Sequence, residues 1–143
     1  MPDPRFQNVV VAKFINRLMN EGKKSVAQRV FYDACDILAK QEKDPLQVFD
    51  EAIKNVSPAV EVKSKRIGGA NYQVPREVRG DRRLTLAIRW LIGAAQAKKG
   101  KPMAAKLAEE FLASAKNEGS AIKKKQDMHR MAEANKAFAH FSW

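Results

Sequence analysis

Apolar residues recur at helical spacing along most of this chain and alternate at a spacing of two in only one stretch. Val11, Phe14, Ile15, Leu18 and Met19 share one helical face, with Gly22 as the stop signal. Ser25 offers an N-cap with Gln28 three residues on, and Val26, Val30, Ala34, Ile37 and Leu38 form a second stripe. Asp44-Pro45-Leu46-Gln47 is the clearest start signal. The aspartate caps, the proline suits a first helical position that needs no N–H, and Gln47 can reach back. Leu46, Phe49, Ile53 and Val56 then face inward until Ser57-Pro58 ends the helix.

The period changes at Val60. Val60, Val62 and Ser64 alternate with Glu61, Lys63 and Lys65, and after Gly68-Gly69 the alternation resumes at Tyr72 and Val74. This pattern predicts a β-hairpin over about 60–78 with a glycine tip. Pro75 removes a donor, so its strand belongs at an edge. Helical spacing returns with Asp81 as cap and Leu84, Ile88, Leu91, Ile92 and Ala95 as stripe, up to Gly100. Lys101-Pro102 starts a further helix with Met103, Leu107, Phe111 and Leu112 inward, and Gly119 stops it. Ser120 opens the last helix, with Ile122, Met128 and Met131 inward, and residues 137–143 read as a frayed tail. The expected fold is mainly α, about six helices with one projecting β-hairpin, in a single domain over 1–143.

Charge turns this architecture towards a partner. The 143 residues carry 27 Lys plus Arg against 16 Asp plus Glu, a formal charge of +11. A self-repelling excess of that size points to a polyanion; nucleic acid comes first and an anionic membrane surface second. The excess is uneven. Residues 31–60 hold Asp33, Asp36, Glu42, Asp44, Asp50 and Glu51 against Lys40, Lys43 and Lys54, which predicts an acidic side on which Lys40 and Lys43 are neutralised locally. Residues 61–90 hold eight bases against Glu61, Glu77 and Asp81. No uncharged stretch, Trp90–Ala97 among them, approaches the roughly 20 apolar residues of a membrane span. The start, Met1-Pro2-Asp3-Pro4-Arg5, lacks the apolar core of a signal peptide. Cys35 stands alone, so no internal disulfide forms, a reducing compartment fits, and burial as a small apolar group is expected.

Catalytic chemistry finds little support. Gly22-Lys23-Lys24-Ser25 matches the end of a phosphate-binding loop, but Arg17 stands where that loop needs glycine, and a helix precedes it in place of a strand. His129 and His140 with one cysteine make no metal set, and His129 reads as a surface residue of a basic helix. No catalytic residue, metal or cofactor is expected. The binding candidates are clearer. Lys63, Lys65 and Arg66 approach the hairpin tip, and Tyr72 and Arg76 lie on the return strand, where cations neutralise phosphates and a ring stacks on a base. An edge strand protected by charge is the competing explanation. Arg79, Arg82, Arg83 and Arg89 run into the following helix, whose dipole disfavours cations at its start, so a phosphate backbone would account for them. Lys123, Lys124 and Lys125, followed by Arg130, repeat that placement, either as a solvated run or as an RNA contact.

Four strings carry a resemblance. Glu61-Val62-Lys63-Ser64-Lys65-Arg66-Ile67-Gly68-Gly69-Ala70-Asn71-Tyr72-Gln73-Val74-Pro75 resembles the hairpin of the bacterial small-subunit ribosomal protein seven family. Gly22-Lys23-Lys24, Leu86-Ala87-Ile88-Arg89-Trp90 and Arg130-Met131-Ala132-Glu133-Ala134-Asn135-Lys136-Ala137-Phe138-Ala139-His140 are similar to the same family, in order along the chain. The resemblance implies a cytoplasmic ribosomal protein with six helices and a projecting hairpin. It implies binding to the three-prime major domain of small-subunit ribosomal RNA and nucleation of head assembly. It places the protein near the exit-site transfer RNA and outgoing messenger RNA, with small-subunit ribosomal protein eleven as neighbour. The family's hairpin tip corresponds to Arg66–Tyr72 and its basic turn to Lys23 and Lys24. Family members carry a short basic arm ahead of the segment matching Pro2-Asp3-Pro4, so contacts made by that arm are not expected of the residues present. The alternative is a basic helical nucleic-acid-binding regulator, a messenger repressor acting outside the ribosome.

Overall fold

The computed structural model describes residues 2–19 and 23–141. Among them are six α-helices, α1 Val9–Leu18, α2 Lys24–Lys40, α3 Pro45–Val56, α4 Asp81–Ala97, α5 Met103–Ala115 and α6 Ser120–Ala134. Between α3 and α4 lie β1 Val60–Ile67 and β2 Ala70–Glu77, and a 3-10 turn Lys136–Phe141 follows α6. The expected mainly α fold with one hairpin is what forms.

The centre is a cluster of four aromatic rings. Phe14 of α1, Phe31 of α2, Phe49 of α3 and Phe111 of α5 meet at tilted or edge-on angles, with centroids 5.3–6.0 Å apart. This geometry brings positive ring edges onto negative faces. α5 runs through the middle and packs on α2, α3 and α4. α4 is more enclosed than a one-sided stripe predicts: Leu86, Ala87, Ile88, Trp90, Leu91, Ile92, Ala94 and Ala95 are all buried, because α1, α3, α5 and α6 surround it. Its solvent-facing positions include Arg82, Arg89, Gly93 and Gln96, one stripe along the helix.

Helix ends explain several departures from the expected boundaries. Asp44 does cap α3, its carboxylate accepting from the Leu46 and Gln47 amides at 3.1 and 3.3 Å. Ser25 is no cap; α2 begins two residues earlier than that cap implies, at Lys24 behind Lys23, with no side-chain cap bond. Asp81 is the first residue of α4, behind Gly80. The proposed stop at Gly22 lies outside the described residues. α5 ends in a Schellman motif, with Asn117 left-handed at φ +60°. Gly119 instead sits at the cap of α6, at φ +92°. A Cβ there would lie 2.7 Å from Glu110 Oε2, so the position needs glycine twice over. Glu110, fully buried on α5, takes over the capping: Oε2 accepts from the Ala121 amide and the Ser114 hydroxyl, both at 3.2 Å. Anionic charge at a helix N-terminus satisfies orphan donors and the dipole together.

The hairpin turns through Gly68 and Gly69, both at positive φ, which suits a two-residue connection. Counting pairs from that turn puts Val62↔Pro75 at a non-hydrogen-bonded site, so Pro75 breaks no ladder bond. Consistent with this, the Val62 N–H points outward and donates to Met128 Sδ at 3.4 Å. Residues 136–141 are not a free tail. They fold back on β2, where Phe138 meets Tyr72 with centroids 5.1 Å apart. Met131, expected inward, is 43% exposed.

Candidate nucleic-acid interface

Strand alternation sorts the hairpin cations. The register sets Glu61, Lys63 and Lys65 opposite Arg76, Val74 and Tyr72, all on one face. Arg66 is on the other face with Asn71. Partial desolvation and the like charges of Lys63 and Arg76 hold the Lys65 ammonium below its ordinary value. The tip from Arg66 to Asn71 is largely exposed, so the hairpin projects.

The hairpin base is tied to α4 and α6 by polar contacts. Glu61 is only 6% exposed and accepts two arginines. Arg82 docks in a fork, Nε to Oε2 at 3.2 Å and Nη2 to Oε1 at 3.1 Å, and Arg76 Nη2 reaches Oε2 at 3.4 Å. Burial alone would raise the Glu61 carboxyl, but the bonds and charge of Arg82 and then Arg76 bring it below the usual range. Arg83 Nε donates to the Pro58 carbonyl at 2.9 Å. Lys125 donates to the Asn55 carbonyl at 2.9 Å. His129 is half-buried rather than on the surface, and its Nε2 accepts from the Ala59 amide at 3.1 Å. Burial, then the charges of Lys125 and Arg83, lower its pKa and favour the neutral ring that this bond requires.

These ties revise one premise. Arginines at the start of α4 do not need a phosphate to offset the helix dipole, because their long side chains leave the helix end for Glu61 and the Pro58 carbonyl. Arg79 pairs with Glu77 at 2.8 Å and Arg130 with Asp127 at 3.1 Å, both in solvent. Exposed pairs of this kind hold their cations weakly and leave them available. Arg89 of α4 and Lys124 of α6 come together along a groove with Trp90, Gly93, Ala94 and Ser120. Among the described residues neither pairs with a carboxylate, nor do Lys24, Lys63, Arg66 and Lys123. Lys23 lines a separate concavity with Gln96, roughly 20 Å along α4 from Arg82 at 1.5 Å per residue. The predicted cations thus fall into groups: Arg76 and Arg82 meet at Glu61 beside Lys63 and Lys65, Arg89 and Lys124 share a groove, Arg66 lies on the hairpin's other face, and Lys23 lies apart beside Gln96 near the end of α4.

The acids of residues 31–60 lie on α2, α3 and the connection between them. Asp36 pairs with Arg5 at 2.7 Å; among the described residues no ion pair joins Lys40 or Lys43 to these acids, contrary to local neutralisation. Cys35 is buried as expected, its thiol pushed up to about 12 by desolvation. Besides Glu61, two further buried acids leave no trace in the apolar periodicity. Asp3 accepts from the amides of Phe6 and Asn8 at 2.7 Å and from the Tyr32 hydroxyl at 2.9 Å, folding the first residues onto α2. Glu110 is the other. The Pro-flanked position of Asp3 was a usable turn signal; nothing near Glu110 announces its role. Among the described residues no group of His, Cys, Asp and Glu could hold a metal ion, and no helix is long and apolar enough to cross a membrane.

A helical domain with a docked basic hairpin and exposed cations on the hairpin, α4 and α6 is a class defined by fold and charge. Residues 1–136 match the family described as Ribosomal protein S7p/S5e, and the chain belongs to it. Small ribosomal subunit protein uS7 of Thermotoga maritima is 59% identical over 143 residues, which is 99% of this chain and 92% of that protein. The proteins of the same name from Desulfotalea psychrophila and Vibrio vulnificus are 60% and 58% identical over 144 residues, covering 99% and 100% of this chain and 92% of each relative.

Proposed function

We propose that this chain is a structural component of the small ribosomal subunit in the cytoplasm, binding ribosomal RNA rather than catalysing a reaction. Near-full-length identity to proteins named for that subunit carries this reading. In its finer form, the chain binds the three-prime major domain of small-subunit RNA and nucleates head assembly. The hairpin then lies near the exit-site transfer RNA and messenger RNA, with ribosomal protein eleven as neighbour. The exposed cations on the hairpin, α4 and α6 support a phosphate-tracking surface, since such a surface needs charge of one sign over an extended face.

Binding to a transcript of that RNA domain, followed by fluorescence anisotropy between 50 and 200 mM salt, tests the reading. If roughly 6–10 phosphates are neutralised, affinity falls by about three to five decades over that range. A random duplex of equal length should bind more weakly throughout, because folded RNA is recognised by shape as well as charge. Near-flat salt dependence, or equal binding of the two RNAs, would contradict it.

A further inference from the structure

Glu61 is an acid at the centre of a basic surface. By net charge alone it opposes binding to a polyanion, and its removal should tighten every RNA complex. Its geometry argues the other way. The Glu61 side chain is 8% exposed, while the Arg76 and Arg82 side chains that converge on it remain 40% and 42% exposed. Each guanidinium carries five N–H donors. Glu61 engages only Nε and Nη2 of Arg82 and Nη2 of Arg76, so most donors of both forks stay available.

The two arginines come from different elements. Arg76 sits directly across the ladder from Glu61, and Arg82 is in the first turn of α4. Without the shared carboxylate, two neighbouring cations on flexible stems repel one another and disperse among rotamers. With it, both guanidiniums are held on one carboxylate before any ligand arrives. Arg76 also faces Lys63 and Lys65, so the held pair continues into the hairpin's basic face.

We propose that Glu61 is a positioning residue for RNA binding, holding Arg76 and Arg82 on one carboxylate so that both forks meet the phosphate backbone pre-oriented. This rests on the RNA-binding reading above. Orientation matters for a folded RNA, whose phosphates have set positions, and little for non-specific attraction. Glu61 therefore raises discrimination between structured RNA and random duplex while lowering overall electrostatic attraction.

The full chain, its E61Q variant and a doubly substituted Arg76→Lys, Arg82→Lys variant are each titrated with the three-prime major domain transcript and with random duplex at one salt concentration. E61Q should weaken the structured complex roughly tenfold and leave the duplex complex equal or tighter, because the surface has gained net positive charge. The lysine variant keeps every charge but loses the forks, and should lower the same ratio. Parallel weakening of both complexes by E61Q would mean that Glu61 only holds the hairpin to α4. Unchanged or tighter structured binding would equally overturn the proposal. If E61Q fails to fold, the lysine variant decides, and an unchanged ratio there rejects it. A wild-type chain with no preference for structured RNA would reject the underlying reading itself, whereas a wild-type preference that survives in E61Q rejects only the role of Glu61.

Discussion

Around Phe14, Phe31, Phe49 and Phe111 the contacts are ring against ring, and each of these side chains is at most 1% exposed. Around the hairpin base they are an arginine fork on Glu61, an arginine on the Pro58 carbonyl, an amide on His129 and an amide on a methionine sulfur. In β1 and β2 only Glu61 and Val74 are buried. The bundle is held mainly by apolar area, which responds little to pH or to charge screening at moderate ionic strength. The hairpin is aimed by charged and polar contacts, which respond to both. The apolar bundle thus carries most of the buried side chains, and the electrostatically held part carries the cations of the proposed RNA-binding surface.

The largest expected effect lies in the bundle. Phe14→Ala removes a ring that touches three others, and should lower unfolding stability by about 3–5 kcal/mol in urea titrations. A loss under about 1 kcal/mol would mean that the rings are not the core's main support. A smaller effect separates the hairpin by pH. His129 has a folded pKa below its ordinary value of 6.5, so the unfolded chain binds the extra proton first. Its stabilising contribution is complete above about pH 6.5 and is lost as pH falls through the lower folded value. Asp3 and Glu61, also held below their ordinary values, withdraw support only at more acidic pH, near and below 4. Melting temperature should fall between pH 7 and 5, and His129→Gln, whose amide oxygen can still accept from Ala59, should flatten that slope. An unaltered slope would place the titrating contact elsewhere.

The same contrast decides what was legible in the sequence. Apolar periodicity exposes the bundle, so the inward faces of α1, α3 and α5 follow from spacing. Gly68-Gly69 and the alternation around it locate the hairpin, and its register then fixes which cations share a face. Long-range polar ties leave no periodic trace. Glu61 reads as one acid among many bases until Arg82, 21 residues on, is seen to fold over it. Glu110 reads as a surface helix residue until the chain turns at Asn117 and brings the start of α6 onto it. Met131 looked apolar and inward, but the face of α6 that meets the hairpin carries Met128, His129 and Ala132 instead. At the candidate interface the residue types were legible, whereas the division between tied arginines and untied cations was not.

That division selects the most direct test of the central claim. Arg89 and Lys124 lie along one groove and make no ion pair among the described residues, so reversing them breaks no internal tie of the kind that holds Arg82. Arg89→Glu with Lys124→Glu should weaken binding to the ribosomal RNA transcript by at least about tenfold per position, since each change removes a phosphate contact and adds a repulsion. Lys40→Glu with Lys43→Glu, the same change in net charge on the acid-rich side, should alter binding by less than about threefold. With both variants at wild-type helicity by circular dichroism, that asymmetry is the predicted result. Equal losses from the two reversals would show that only net charge matters and would contradict a localised RNA-binding surface.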